Sequence, residues 1–377
     1  MRRMTEQSGD RPGFEEEEYD DADNTEVAIP NLEPVSYFGT DFDVHGLVRR
    51  LNTQDIIVPN FDPSPESESE VSGFQRKFVW KKTQMDKFIE SLLLGFPVPG
   101  IFLVQQENKQ LLVLDGQQRL RTLQRFYTGK IDPKTDFKLD NVARKFRDLT
   151  YESLPADLRR SLDNTFIHAT IVKHAPEASP SSESVYSIFE RLNTGGTNLY
   201  PQEIRVALYH GELVEFLKEL NSYPAWRDIY GPPSERLKDQ EIILRFLAFW
   251  ENEQNYKRPL KVFLNEFLDV HRNMEGLNSG KLRRVFHATC EVASAGLGRQ
   301  ALRADAQINA AFADAILAGI AKRVEGSEIT DPGALKQIRQ ALLEDPEFRS
   351  SITRATADEE RVTRRLEKGR LAFRAAK

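Results

Sequence analysis

The apolar residues in the first half of the chain follow two different spacings. From Thr83 onward they recur at helical spacing, which predicts a helix with a buried stripe formed by Met85, Phe88, Ile89, Leu92, Leu93 and Phe96. Thr83 and Asp86 have the spacing of a capping box at the start of this helix. Short apolar runs bounded by turn-forming residues predict strands at 55–60, 101–105, 111–114 and 165–174. The second and third of these strands are expected to form a hairpin.

The period of the apolar pattern changes near residue 180. Before that point, short helices are predicted between the strands at 41–52, 117–127 and 155–163. After it, only helical spacing remains, and it predicts helices at 183–193, 201–220, 236–254, 259–274, 279–296, 301–324, 332–343 and 357–374. The predicted fold class is therefore α+β, with a mixed domain followed by an all-α part. The expected segments are a disordered acidic tail at 1–35, an α+β domain at 36–180, a helical extension at 181–275 and a C-terminal helical region at 276–377.

Composition narrows the class of protein to which this chain can belong. The chain has 377 residues, of which 40% are hydrophobic, so it can form ordinary hydrophobic cores. Its single cysteine, Cys290, excludes an internal disulfide and a cysteine-cluster metal site. No apolar run approaches the length of a membrane span, and the first residues lack the apolar core of a signal peptide. These features predict a cytoplasmic protein without a membrane partner.

The net charge of −6 is distributed unevenly along the chain. Residues 1–30 contain ten acids and three arginines, so the rest of the chain is close to neutral. Such a tail is usually solvated and disordered, although it could also shield a basic surface until DNA displaces it. Near the other end, one predicted helix has basic residues at i, i+3, i+4 and i+7, namely Arg361, Arg364, Arg365 and Lys368. This helix is predicted to contact DNA phosphates, or else to be a salt-bridged surface helix.

The sequence VLDGQQRL, residues 113–120, predicts a strand that turns at once into a helix. The first N–H groups of such a helix have no intrahelical partner and attract phosphate. Arg119 would contact the phosphates, Gln117 and Gln118 would position a phosphate oxygen or a water, and Asp115 would hold Mg²⁺. The alternative is a capped turn in which Asp115 is the N-cap and the arginines are solvated.

Two other stretches contain residues suited to nucleotide or DNA contacts. The segment GFQRKFVWKK, 73–82, interleaves aromatic residues with four cations, Arg76, Lys77, Lys81 and Lys82. Aromatic rings can stack on bases while cations meet phosphates, but a core-edge segment with solvated lysine ends would show the same pattern. The loop NTGG provides Asn193, Gly195 and Gly196 between two helices. Its glycines either bring backbone N–H groups close to a ligand or end the first helix.

Four of these motifs occur in one order between about Asp55 and Tyr209: FQRKFVW, SLLLGFPVPGIFL, VLDGQQRL and FERLNTGG followed by L-x-x-x-E-x-R. In this order they resemble the N-terminal domain family of GmrSD-type modification-dependent restriction enzymes, which is related to the ParB/sulfiredoxin-like fold. The resemblance implies a domain that binds and hydrolyses an NTP and couples hydrolysis to restriction of modified phage DNA. It implies a nucleotide site formed by three motifs. These supply Arg76 from FQR, residues 115–119 of DGQQR including Gly116, and Asn193, Gly195 and Gly196 of the NTGG loop, which Glu203 and Arg205 follow.

The chain departs from the family pattern at three places. Many relatives have threonine where this chain has Arg121, and the acidic segment 62–73 is an insertion before FQR. The third is that the pattern of the His-Asn-His nuclease of the full enzymes is not recognisable in the second half of this sequence. The histidines beyond residue 180 are His210, His271 and His287, and none is paired at ligand spacing.

We therefore expect an NTP-hydrolysing sensor subunit of a restriction or phage-defence system that acts with a separate nuclease or methyltransferase subunit. A non-enzymatic ParB-like module that binds DNA or nucleotide is the alternative. A weaker possibility is that the ParB-like domain itself nicks DNA. The sequence leaves the nucleotide base, the DNA modification and the oligomeric state open.

Overall fold

The fold begins with a five-stranded mixed sheet. A computed structural model describes residues 34–59, 80–106, 108–173, 182–192, 199–326, 329, 331–374 and 376. The strands of the main sheet are β1 (Ser36–Asp43), β2 (Ile56–Ile57), β3 (Ile101–Gln105), β4 (Leu111–Asp115) and β7 (Phe166–Lys173). A separate small ribbon consists of β5 (Lys130–Asp132) and β6 (Thr135–Asp136).

The order of strands in the main sheet is β1-β7-β3-β4-β2. β1 runs antiparallel to β7, β7 runs parallel to β3, β3 and β4 form the predicted antiparallel hairpin, and β2 runs parallel to β4 at the edge. The apolar pattern correctly located β3, β4 and β7. It missed β1, because most of the side chains of this edge strand are exposed and provide no buried face.

Four helices cover one face of the sheet. They are α1 (Val44–Asn52), α2 (Lys82–Leu93), α3 (Gln117–Thr128) and α4 (Ala156–Asp163). One hydrophobic core joins their inner faces to the sheet residues that point toward them, such as Leu103 and Val113. Leu120, Leu123 and Phe126 place α3 in this core, as the helical spacing predicts. The position of α3 is thus set by apolar contacts rather than by its charged residues.

The opposite face of the sheet packs against the helical part of the chain. Val104, Leu112 and Leu114 belong to the same core as the helices that follow. Those helices are α5 (Ser182–Leu192), α6 (Pro201–Leu208), α7 (Glu212–Asn221), α8 (Pro224–Tyr230), α9 (Lys238–Asn252), α10 (Leu260–Val270), α11 (Ser279–Leu297), α12 (Ala310–Gly326), α13 (Leu335–Glu344), α14 (Pro346–Ser351) and α15 (Glu359–Arg374). The predicted fold class, α+β followed by all-α, is confirmed.

Two details of the predicted second helix are wrong. α2 ends at Leu93, and Phe96 lies beyond it with 58% of its surface exposed, because Gly95 adopts a left-handed φ of 72° that ends the helix before Phe96 can join the buried stripe. The start of α2 is capped by Gln84, whose Oε1 accepts from the backbone N–H of Lys81 at 2.9 Å, and not by a box of Thr83 and Asp86.

Two predicted helices also have different bounds in the structure. The single helix predicted at 201–220 is two helices, since α6 ends at Leu208 and α7 begins at Glu212. The helix predicted at 301–324 begins only at Ala310. None of the described helices is long and apolar enough to cross a membrane.

Candidate functional site

The DGQQR motif forms the corner at which β4 passes into α3. Gly116 has a φ of 98°, in the left-handed region, and a Cβ there would lie 2.5 Å from the Ile101 side chain. Both features require glycine, so the turn is as tight as the sequence predicts. Gly116 is also the N-cap of α3, and no side chain caps this helix. The alternative in which Asp115 is the N-cap is therefore wrong, and the amino end of α3 has no side-chain acceptor among the described residues.

An ion pair within the motif determines where its charges lie. Arg119 Nη2 donates to Asp115 Oδ2 at 2.7 Å, and Arg119 Nη1 donates to the carbonyl oxygen of Pro99 at 2.6 Å. Arg119 is only 9% exposed, whereas 47% of the Asp115 side chain is exposed. The carboxylate thus faces solvent while the guanidinium that holds it lies behind it. The sequence predicts that Arg119 contacts phosphate. In the structure, both of its terminal nitrogens instead donate to protein groups.

The two glutamines of the motif lie in the first turn of α3. Gln118 Oε1 accepts from the backbone N–H of Trp80 at 3.4 Å, which joins this turn to the end of the FQRKFVW segment. The Gln118 carbonyl accepts from Thr122 Oγ1, a fully buried hydroxyl that sequence analysis missed because threonine in a helix carries no functional signal. Gln117 is partly exposed beside Asp115.

Two further arginines lie along α3 toward the edge strand β2. Burial lowers the pKa of Arg121, and burial together with the charge of Arg121 lowers that of Arg125. Arg121 Nη2 lies 3.5 Å from the carbonyl oxygen of Val58, at the end of β2. Arg119 and Arg121 therefore place positive charge in the amino half of α3, where a nearby anion would stabilise it, whereas Arg125 lies in the last turn.

Five predicted site residues lie outside the residues that the structure describes: Arg76, Lys77, Asn193, Gly195 and Gly196. The two remaining cations of their basic segment precede or open α2. Lys81 is exposed, whereas Lys82 forms a salt bridge with the buried Asp86 and donates to the carbonyl oxygen of Lys138 at 2.5 Å. Of this pair, Lys81 is the better placed to meet DNA.

Glu203 and Arg205 form part of a buried polar network. Arg205 is fully buried, and it donates to Asn265 Oδ1 at 2.9 Å and to Glu241 Oε2 at 3.0 Å. Glu203 Oε2 accepts from the backbone N–H of Tyr200 at 2.7 Å, which fixes the start of α6. The expectation that Arg205 binds nucleotide directly is therefore corrected: its guanidinium lies in the core and holds α6 against α9 and α10.

The predicted basic face of the last helix is also corrected. Arg365 is fully buried and donates to Asp314 Oδ2 at 2.8 Å, so it cannot contact DNA in this fold. Arg361 donates to Ser350, Arg364 pairs with Glu360, and Lys368 pairs with Asp345 and Glu347. Spacing alone placed these four on one surface. However, α15 packs closely along α12, and this packing buries Arg365 in the core. The salt-bridged alternative describes Arg364 and Lys368, whereas Arg361 bonds to the neutral Ser350.

The site's capacity for a metal ion rests on one carboxylate. Within the described residues there is no group of three or more histidine, cysteine, aspartate or glutamate side chains that could hold a metal. Mg²⁺ bound to nucleotides commonly takes one or two protein carboxylates, with phosphates and water as its other ligands. Asp115 fits such an ion, because Arg119 bonds to only one of its two oxygens, Oδ2, and the carboxylate is half exposed.

The corner lies within the part of the chain that matches a known family. The family model of the GmrSD restriction endonuclease, N-terminal domain, matches residues 64–210. This range starts beyond β2 and includes α2, the β3–β4 hairpin, the DGQQR corner and α6. Comparisons with curated proteins and with solved structures gave no match. Residues 64–210 are thus similar to the GmrSD restriction endonuclease N-terminal domain family.

Proposed function

We propose that this protein binds an NTP at the corner between β4 and α3 and hydrolyses it with Mg²⁺. One observation carries the proposal: a half-exposed carboxylate, Asp115, lies beside a helix amino end that no side chain caps. The unpaired backbone N–H groups of Gln117 and Gln118 would donate hydrogen bonds to phosphate oxygens. The match to this family supports a component of a restriction or defence system, in which nucleotide turnover would serve as the signal.

Each residue of the corner has a distinct part in this proposal. Asp115 would hold Mg²⁺, which neutralises phosphate charge and polarises the bond to be broken. Gln117 and Gln118 can both donate and accept, which suits them to orient the attacking water. Gly116 lets the backbone approach the phosphates without a Cβ in the way.

Arg119 acts mainly as a positioning residue in this scheme. Its contacts with Asp115 and with the Pro99 carbonyl hold the carboxylate at one place relative to the start of α3. A fixed carboxylate costs less to organise when the ion binds, which favours turnover. The nucleotide contacts proposed for Arg76 and for Asn193, Gly195 and Gly196 rest on the family motifs alone.

At the level of the system, we propose a cytoplasmic sensor subunit that responds to DNA, including modified DNA, and acts with a separate nuclease or methyltransferase. A ParB-like module that binds nucleotide or DNA without turnover is the second candidate. The burial of Arg119 favours this alternative, because a phosphate-facing arginine is a common feature of phosphoryl-transfer sites.

The two candidates differ in phosphate release. The purified protein should release inorganic phosphate from at least one of ATP, GTP, CTP and UTP when Mg²⁺ is present, and a chelator should stop the reaction. Addition of duplex DNA, unmodified or carrying modified bases, should change the rate. Nucleotide binding without phosphate release under all these conditions would instead identify the non-enzymatic module.

A further inference from the structure

A cleft separates the edge of the sheet from the helical part of the chain, away from the DGQQR corner. Its volume is about 750 Å³, within the range of small-molecule and cofactor sites. One wall consists of β2, the β3–β4 hairpin and the outer side of α3, and the other consists of α6, α7 and the end of α10. Asp115, Gln117, Gln118 and Arg119 are not among the residues that line it.

The charged residues that line the cleft are all basic or histidine. They are Arg121 on the first wall and His210, Lys218 and Arg272 on the second. Behind the second wall, Glu215 lies 2.9 Å from Lys218 and Asp269 lies 2.8 Å from Arg272, so these two cations are partly neutralised.

Arg121 differs from the other cations because no carboxylate compensates its burial. Its guanidinium makes a long hydrogen bond of 3.5 Å to the Val58 carbonyl oxygen, and no acid pairs with it in the described part of the chain. Arg121 is half-buried, and this burial lowers its pKa because partial desolvation disfavours the charged form. A half-buried, uncompensated guanidinium at the wall of a cleft is stabilised when an anion enters.

The rest of the cleft combines amide groups with an apolar floor. Five amide side chains line it: Gln54, Gln106, Asn108, Gln110 and Gln124. An amide can both donate and accept, which is what the edge of a nucleobase requires. Three of the five already bond within the protein: Asn108 donates to Gln110, Gln110 to the Gln54 carbonyl, and Gln124 to Asn52. The Gln106 amide has no hydrogen-bond partner among the described residues, and Ile56 and Leu112 form part of the floor. An anion alone would not need this combination of amides and apolar surface.

We propose that this cleft binds one nucleotide unit, with the phosphate at Arg121 and the base among the amide side chains. The unit could be a free nucleotide or a nucleotide within a DNA strand, since both present a phosphate ester and a base. The site is separate from the Asp115 corner and does not require hydrolysis there. It would let the protein bind a second nucleotide or read a base of the strand.

The test compares two charge-removing variants within the same domain. Arg121→Gln keeps the length of the side chain and its capacity to donate hydrogen bonds, and Arg144→Gln is the matched control at an exposed arginine outside the cleft. Calorimetry with ATP, GTP, CTP and UTP forms one arm, and fluorescence anisotropy with a short labelled single strand forms the other. Arg121→Gln should weaken binding about tenfold or more in one arm, the loss expected for a charge-assisted contact. Arg144→Gln should change neither arm by more than about twofold.

The arm that responds identifies the source of the nucleotide. Gln106→Ala should weaken binding in that same arm, by about threefold or more, because it removes a base contact. It also keeps the test decisive if Arg121→Gln fails to fold, as judged by its melting temperature. Binding by Arg121→Gln and Gln106→Ala equal to that of Arg144→Gln in both arms would overturn the proposal. Absence of NTP hydrolysis would leave it standing, because both arms measure binding.

Discussion

Two aspartate–arginine clusters in this protein have the same chemistry and different surroundings. At the DGQQR corner, Asp115 pairs with Arg119 and keeps 47% of its side chain exposed. In the helical part, Asp314 pairs with both Arg245 and Arg365 and is completely enclosed. Burial alone would raise the pKa of Asp314, but the two guanidiniums outweigh it, so its pKa lies below the usual value.

The difference shows how an ion pair becomes structural or remains available for chemistry. Both carboxylate oxygens of Asp314 accept hydrogen bonds from arginines. Arg245 Nε donates to Oδ1 at 3.0 Å, and both Arg245 and Arg365 donate to Oδ2. These contacts hold α9, α12 and α15 together. Asp115 gives one oxygen to one cation and presents the rest of its carboxylate to solvent. A metal ion or phosphate can therefore compete only at the corner.

The largest expected effect comes from neutralising the enclosed carboxylate. Asp314→Asn leaves Arg245 and Arg365 buried without a counter-charge, so we expect a loss of about 3–5 kcal/mol in the free energy of unfolding. Urea unfolding measures this loss. Asp305→Asn is the control, because its pair with Arg349 is exposed and should be worth at most about 1 kcal/mol. Equal effects of the two substitutions would show that the enclosed cluster has no special structural weight.

The same substitution at the corner should affect turnover instead of stability. Asp115→Asn keeps an oxygen for Arg119 but removes the charge needed by Mg²⁺, so Mg²⁺-dependent NTP turnover should fall at least about a hundredfold. The free energy of unfolding should change by less than about 1 kcal/mol, because the carboxylate is half exposed. Asp136→Asn, at an exposed carboxylate of the same domain, should leave both quantities unchanged. A lower melting temperature with normal turnover would make this pair structural as well.

Removal of the arginine distinguishes a positioning role from direct phosphate binding. Arg119→Ala frees Asp115 and leaves the Pro99 carbonyl without its donor, so we expect a loss of about 1–3 kcal/mol in stability. If Arg119 positions Asp115, kcat should fall while the affinity for nucleotide without Mg²⁺ stays constant. If Arg119 contacts phosphate, as its place in the motif predicts, that affinity should fall too. Calorimetry without metal and steady-state kinetics separate the two outcomes.

The smallest expected effect concerns DNA binding by exposed cations of the two regions. Lys81→Gln should make the slope of log K against log salt shallower by about 0.9, the contribution of one phosphate contact. Arg364→Gln should leave the slope unchanged, because Arg364 already pairs with Glu360. Fluorescence anisotropy on duplex DNA over a range of salt concentrations measures both slopes. Point substitutions are needed here because deletion of 355–377 would remove Arg365 and Phe373 from the core. A slope that responds to Arg364→Gln alone would restore the C-terminal helix as the DNA contact.

The sequence determined the parts of this protein that depend on neighbouring residues. Strand β4, the tight turn at Gly116 and the start of α3 follow from an apolar run, a glycine and renewed helical spacing, and the structure confirms each of them. The same local order made the motifs recognisable across 64–210. The sequence analysis missed Asp314, although a lone acid in the apolar stretch of α12 is a signal for a buried partner.

Only the tertiary structure decided which charges face solvent. Spacing put Arg365 on a surface with Arg361 and Arg364, but α15 packs along α12 and turns Arg365 toward Asp314. Likewise, Arg119 follows its motif in sequence, yet the carbonyl it holds belongs to Pro99 in another segment. The cleft beside Arg121 depends on helices more than eighty residues away, such as α6. Burial and ion pairing arise from contacts between distant segments, and no local pattern specifies which partner a long charged side chain will meet.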